Sequence, residues 1–449
     1  MSLPQSWTTA PLGKLCEKLS DGSHNPPKAQ ETGMPMLSAR NINDRKITFD
    51  EFRLISPEEF AEEDRRTRVS SGDVLLTIVG AIGRTAVVPQ GAPQFTLQRS
   101  VAVLKPIKSD SRYISYALEA PALQKYLQDN AKGTAQKGIY LKALAGVEIP
   151  VAPEPEQKRI ADKLDTVLTR VDAVNTRLAR VAPLLKRFRQ SVLAAATSGR
   201  LTEDWRNGSI PEVKEWSEKA LSEVCRTITD GEHISPPLAP HGVPLVSAKD
   251  VREWGVDFSD TKFVSEEFAD ASRKRCGPIC GDVLVVSRGA TVGRTCLVKS
   301  KEKFCLMGSV LLFQPTATLI KSEFLAHVLA SPLGLEQLTK ASGATAQAAI
   351  YIRDAKGLKI RLPSIEEQTE IVRRVETLFA FADRLEARLA QAQAAATRLT
   401  PALLAKAFSG ELVPQDPNDE PAAELLRRLA QAPATASPRK GRKAAGAAV

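Results

Sequence analysis

The sequence predicts a mixed α/β fold: a tandem duplication of two globular α/β domains separated by a long two-helix antiparallel coiled coil. One observation is a seam in which apolar residues alternate four and three apart: Ile160, Leu164, Val167, Val171, Val174, Leu178, Val181, Leu185, Phe188 and Val192. A second seam in the same phase lies 211 residues on, at Ile371, Val375, Leu378, Ala382, Leu385, Leu389, Ala392, Ala396, Leu399 and Leu403. Heptad spacing sustained this long is the pattern of helices that pair along one stripe, here over roughly 50 Å. The other observation is an internal repeat that runs well outside the seams. Trp7 matches Trp216, DGSHNPP at 21–27 matches DGEHISPP at 230–237, and GMPMLSARNI at 33–42 matches GVPLVSAKDV at 242–251.

The repeat continues in order along the chain. GDVL at 72–75 and 281–284 opens two matching stretches that end in GRT, and FTLQRSVAVLKP at 95–106 matches FCLMGSVLLFQP at 304–315. Within each copy the short β-branched runs read as buried strands bounded by Gly and Pro. A helical stretch, 113–128 and 322–339, precedes each long helix. The long helices start after Pro153 and Pro155, or Pro363, with Glu156 and Glu367 in the first turn, and stop at Gly199 and Gly410. Pro183 and Pro401 fall inside them and predict a kink or break near each. The expected boundaries are 1–152 for the first globular domain, 153–200 for the first spacer helix and 201–362 for a linker with the second domain. The second spacer helix takes 363–413, and 414–449 forms a tail with a short amphipathic helix ahead of a basic, unpatterned end bearing Arg439, Lys440, Arg442 and Lys443.

Composition narrows the function classes. A net charge of +10 and a pI near 9.3 favour a polyanionic partner. No apolar run is long enough for a membrane span and the first residues lack a signal-peptide pattern, so a cytoplasmic protein that does not meet the membrane is expected. The six cysteines lack CxxC spacing and the four histidines supply no ligand pairs, which argues against a metal site. Cys16 and Cys225 occupy equivalent repeat positions, as small buried residues in a reducing compartment would.

No catalytic motif stands out. Both Pro-Pro pairs continue with Lys28 or Leu238 rather than an aromatic residue, and no HExxH or nuclease-like carboxylate pattern is present. GATVGRT at 289–295 has three residues between its glycines, and Arg294 where a Walker A has Lys, so an ATP-binding enzyme is disfavoured. A glycine-permitted tight loop that presents Arg84, and in the second copy Arg288 and Arg294, fits better, either for DNA contact or as a hairpin with solvated arginines. His24 and His233 follow the DG pairs and stand as base or phosphate contacts or as loop caps. Arg40 with Asn41, and Lys249 with Asp250, pair side chains suited to base edges with positions where the copies diverge. Thr77-Ile78-Val79 against Val286-Ser287-Arg288 is a second such place. The TAQ segments, 134–136 and 345–347, read as helix N-caps, while Lys132 and Lys137 beside the first could address phosphates.

The order of these features resembles the specificity subunit of type I restriction-modification systems, over nearly the whole chain. The residues that carry it are Trp7 and Trp216, the DG-x-H loops, GDVL, GxxGR, TAQ…IY, the EQxxI helix starts at 157–160 and 368–371, and SGRLTEDWR at 198–206. The resemblance implies two target recognition domains, each reading one half of an asymmetric bipartite sequence in double-stranded DNA. It also implies a non-catalytic chain assembled with two methyltransferase subunits, and with restriction subunits in the larger complex. S-adenosylmethionine, ATP and magnesium would then belong to those partners, with no cofactor in this chain. Two diverged basic units on a spacer independently suit one chain that reads two half-sites. A non-catalytic tandem DNA-binding regulator or architectural protein remains the alternative, and a coiled-coil scaffold that binds only protein is a further one.

Overall fold

The computed structural model describes residues 3–133, 136–208, 215–341 and 349–431. The chain forms two compact units. One takes residues Met1–Arg177 together with the chain from Ala392 onward, and the other is Leu178–Gln391. Each unit therefore contains a globular domain and a piece of both spacer helices.

The first unit is built on a four-stranded antiparallel sheet in the order Cys16–Asp21, Val101–Pro106, Val74–Thr77, Thr85–Val87. Alternate side chains explain why its central strands read as unbroken apolar runs. Val74, Leu76, Ala102 and Leu104 join the core formed with the helices, whereas Leu75, Val101 and Val103 join a second core with Leu37, Phe95 and Leu97. A sheet covered on both faces favours apolar side chains at successive positions of its central strands, and each buried Leu or Val adds about 1.5–3 kcal/mol. The smaller sheet runs Arg53–Ile55, Met34–Leu37, Thr96–Leu97, and its last pair is parallel.

The second unit repeats this topology strand for strand. Its four-stranded sheet runs Cys225–Asp230, Val310–Pro315, Val283–Val286, Thr295–Leu297, and its smaller sheet Lys262–Val264, Val243–Val246, Cys305–Leu306. The helical stretch expected after each main sheet is two helices, not one. Ser111–Glu119 stops where Ala120 precedes Pro121, and Ser322–Ala330 stops where Ser331 precedes Pro332. Both pre-proline residues are extended, because the proline ring excludes the α region there.

The start of each spacer helix is locked by the Glu-Gln pair. In the first unit Trp7 Nε1 donates to Glu156 Oε2 at 3.0 Å, and Gln157 donates to Ala152 O at 2.9 Å while accepting from the backbone of Asp110. In the second unit Trp216 donates to Glu367 at 3.0 Å, and Gln368 donates to Pro363 O and accepts from Lys321 N at 2.8 Å. Burial pushes the Glu156 carboxyl above its ordinary range despite the bonds from Trp7 and Gln415. The fourth partner differs between copies: Gln415 reaches Glu156 at 2.6 Å, while Arg206 and Thr202 reach Glu367.

Within each unit the two spacer pieces run antiparallel. Ile160, Leu164 and Leu168 share a core with Leu404, Ala407 and Phe408 in the first. In the second, Val192 and Ala196 share one with Ile371 and Val375, and Arg189 pairs with Asp383 at 2.6 Å. The seam departs from the strict heptad. Ile160, Leu164, Val171, Ile371 and Val375 are buried, whereas Val167, Leu178, Leu378, Leu385 and Leu389 are only half-buried. Val174, expected in the seam, is 44% exposed, and Leu399 is 47% exposed while Leu404 is sealed. The buried line passes instead through Leu168, since a helix of 3.6 residues per turn drifts away from a 3.5-residue repeat.

The two internal prolines behave differently. The first spacer helix does break, between Glu154–Ala179 and Val181–Ser198, with Pro183 in the first turn of the second piece. Pro401 does not break Ile365–Phe408, which runs through it as one helix, so of the expected kink or break the break is absent there. Pro401 and Thr397 both lie on the exposed side, where water can take the carbonyl that the missing N–H leaves free. Gly199 closes its helix with φ 82°, as a C′ glycine should. The segment after 414 is not a loose tail at its start: helix Ala422–Gln431 buries Ala422 and Leu425 in the first-unit core, and Arg159 pairs with Asp419 at 2.6 Å. The basic end of the chain lies outside the described residues.

Candidate nucleic-acid interface

In each unit a set of loops is tied together at one dipeptide. In the first it is Arg99-Ser100. Arg99 N donates to Ser23 O at 2.9 Å, Ser100 O accepts from Ile78 N at 2.9 Å, and Ser100 Oγ accepts from Ala39 N at 3.0 Å. Ile139 N then bonds Ile78 O, and Gly80 N bonds Lys137 O, which joins the glycine loop to the chain beside the Lys132–Gly138 bridge. The DG-x-H loop, the loop bearing Arg40, the glycine loop and the chain at Lys137–Gly138 are thus tied to one another. The second unit repeats the arrangement at Gly308-Ser309, with bonds to Glu232 O at 2.7 Å, Ser287 N at 2.9 Å and Ala248 N at 3.2 Å.

The DG-x-H loops are explained by close approach and charge. A Cβ at Gly22 would lie 2.0 Å from Leu97 O, and one at Gly231 2.0 Å from Leu306 O, so only glycine fits. His24 pairs with Asp21 at 2.8 Å and His233 with Asp230 at 2.9 Å, yet both imidazoles remain about half exposed. Each aspartate is held from its other side by an arginine that the motif reading missed. Arg66 Nε donates to Asp21 O at 2.9 Å and its guanidinium also reaches the carboxylate; Arg275 donates to Asp230 O at 2.9 Å. Arg66 and Arg275 are themselves 209 residues apart, a signal hidden inside runs of charged residues.

The candidate side chains divide by whether they are already engaged. Arg40, Lys132, Lys137 and Arg288 are exposed, with no side-chain partner among the described residues. Arg84 reaches the Asn43 side chain, Arg294 donates to Val251 O at 3.3 Å, and Lys249 binds Asp260 at 2.7 Å. Asn41 is not presented at all. It is 2% exposed, its Oδ1 accepts from Ser38 N at 2.9 Å, and its Nδ2 donates to Thr48 O and Glu51 O. The short turn after Ser38 needs an internal cap, and Asn41 satisfies it, so no bond is left for a base. Its counterpart Asp250 is also buried and accepts from Ser247 N at 2.8 Å.

The second divergent stretch is likewise mostly interior. Thr77, Ile78, Val286 and Ser287 are buried, Val79 is half-buried against the core, and only Arg288 is exposed. Residues 134–135 and 345–347 of the TAQ segments lie outside the described residues. The short helices nearby start later than those segments, at Leu141 and Ile352. Ile139 and Ile350 are buried, whereas Tyr140 and Tyr351 are 70% and 55% exposed.

The same surface has a strained corner. Asp44 and Arg45 both adopt positive φ, 48° and 60°, at the turn between Ile42–Asn43 and Lys46–Ile47. Arg45 is fixed there by Asp172 at 2.7 Å and Glu119 at 3.4 Å, and burial raises the Glu119 carboxyl above its ordinary range. An open pocket of about 500 Å³ beside it is lined by Asn43, Arg45, Arg84, Gln124 and Leu404. Among the described residues no group of three or more His, Cys, Asp or Glu side chains is placed to hold a metal ion, and no helix is long and apolar enough to cross a membrane.

Relatives carry the same architecture. The chain is 33% identical to the type I restriction enzyme EcoBI specificity subunit of Escherichia coli over 348 residues, 72% of each chain. It is 29% identical to the EcoKI specificity subunit of E. coli strain K12 over 95% of each. The HsdS subunit from Thermoanaerobacter tengcongensis has a similar fold, with TM-score 0.55 at 20% identity over 92% of this chain and 99% of that one. So does a chain from a structure of assembly and conformational transition in the type I R-M system, with TM-score 0.67 at 21% identity, covering 92% and 100%. Residues 4–182 and 213–393 each match the family described as type I restriction modification DNA specificity domain, and the chain belongs to that family.

Proposed function

We propose that this chain reads DNA for a type I restriction-modification assembly, each loop surface addressing one half of an asymmetric bipartite target. The observation that carries this reading is the twofold occurrence of one loop hub, tied by the same backbone bonds in two topologically identical units, with different side chains facing outward. A constant frame with variable exposed residues is what two different half-sites require. Arg40, Lys132, Lys137 and Arg288 would supply charge for phosphates, and His24 and His233 present half-exposed rings on loops tied to the same hubs. The spacer helices would set the separation of the half-sites and seat two methyltransferase subunits, with restriction subunits joining in the full complex. The chain itself would not be an enzyme. S-adenosylmethionine would be bound by the methyltransferase partners, and ATP and magnesium by the restriction partners.

Single-molecule mapping of methyladenine in the source organism, with and without this gene, tests the reading. Disappearance of a two-part motif with a fixed gap supports it and yields both half-sites. An unchanged methylation map, together with failure to co-purify methyltransferase subunits, counts against it.

A further inference from the structure

Arg99 and Gly308 occupy the same place in the two copies, the residue between the short strand of the smaller sheet and the central strand of the main sheet. Their backbones do identical work, donating to Ser23 O at 2.9 Å and to Glu232 O at 2.7 Å. The serine that follows each one ties in the loops that carry Arg40 and Lys249. The side chains could hardly differ more. Arg99 is exposed, and its guanidinium has no partner among the described residues. Gly308 has no side chain, and a Cβ there would stand 2.9 Å from His233 Nδ1. Gly308 is absent from the residues with positive φ, so its backbone does not require glycine; what a Cβ there would meet is the His233 ring, which would have to shift.

Resting on the DNA-reading function proposed above, we propose that Arg99 reads a guanine edge in one half-site, and that in the second copy His233 occupies the corresponding space and reads a different base. The hub fixes the Cα of Arg99 among four loops, which gives a long side chain a defined origin. A guanidinium whose donors are all free matches the paired O6 and N7 acceptors of guanine in the major groove. His24, by contrast, has its counterpart in His233, so that residue alone cannot distinguish the two halves. Within the dipeptide at the centre of the hub, Arg99-Ser100 against Gly308-Ser309, the one change is the arginine.

The test is methyladenine mapping in the source organism carrying Arg99→Ala, Arg99→Lys or Gly308→Ala in the full-length chain. Arg99→Ala and Arg99→Lys are expected to relax one base pair of one half-site, lowering the preference for guanine there by about 10- to 100-fold. The other half stays unchanged. Gly308→Ala is expected to alter the opposite half alone. Because the Arg99 side chain makes no hydrogen bond or ion pair among the described residues, and the loop bonds run through its backbone, those bonds survive its removal. A motif unchanged in the Arg99 variants overturns the inference. So does a loss that is equal at all sites and restored by lysine, the behaviour of a phosphate contact. If the unmutated chain directs no bipartite motif, the proposed function itself falls, a result distinct from either of these.

Discussion

Ser23 donates to Glu63 Oε1 at 2.9 Å, and 209 residues further on the same two positions hold Glu232 and Ser272, bonded at 2.7 Å with donor and acceptor exchanged. Duplication has kept the bond and swapped its ends. Ser23→Glu alone sets two carboxylates against each other and should cost about 1–3 kcal/mol. Adding Glu63→Ser should restore most of that. Urea denaturation of the single and double variants checks the coupling, and two additive losses would show that the pair is independent.

Glu367 is buried and held by Trp216, Thr202 and Arg206. Arg206→Ala leaves the carboxylate without its cation and should lower stability by about 2–4 kcal/mol. Combining it with Glu367→Gln removes the charge and should recover much of the loss. Denaturation midpoints of the three proteins decide the matter. The equivalent position beside Glu156 uses neutral Gln415, so Gln415→Ala should have a smaller effect.

His327 has a buried Nε2 without a partner, and burial pulls its pKa down from 6.5 to about 4. As pH falls below 6.5 the unfolded chain takes up a proton that the folded chain refuses until about 4. Folding stability is therefore lost across that window, by up to about 3 kcal/mol from this group. His327→Phe, facing Phe379, should flatten the acid side of the stability curve relative to the unmutated protein. Parallel curves for the two proteins between pH 7 and pH 4.5 would contradict this.

Burial pushes the thiols of Cys16, Cys225, Cys276 and Cys296 up to about 12, and raises Cys305 as well. Cys280 alone is exposed. Native protein at pH 8 should therefore modify at one thiol per chain, and Cys280→Ser should abolish that reaction while full labelling appears only on unfolding. Mass spectrometry after alkylation gives the count.

Much of the architecture was legible because it was written twice. A strand run that recurs 209 residues later, as VLL and VLV do at 74–76 and 283–285, can hardly be accidental, and the C′ glycine at 199 follows from local geometry. What escaped the sequence depends on partners far along the chain. Gln157 and Gln368 look like ordinary first-turn residues until Asp110 and Lys321 are seen to bond them. Asn41 has the chemistry of an adenine reader but caps its own turn. Leu168 replaces Val167 and Val174 on the buried line because the helix drifts, which a strict heptad cannot register. Arg99 was passed over since a single arginine between two strands carries no local signature; only the hub of hydrogen bonds gives it a position.

The division of the chain also sets an order of assembly. The unit Leu178–Gln391 is contiguous, so the ribosome delivers all of it in one stretch. The other unit begins earlier in the chain, yet its core needs Leu404, Phe408 and Leu425, which follow the whole of the second unit. At about 5–20 residues per second, the domain made before it waits tens of seconds with Ile160 and Leu164 uncovered until those residues arrive. A ribosome that stops before Leu404 would therefore leave an intact second unit joined to an unfinished first, and residues 404–425 serve as the seal on a domain made long before them.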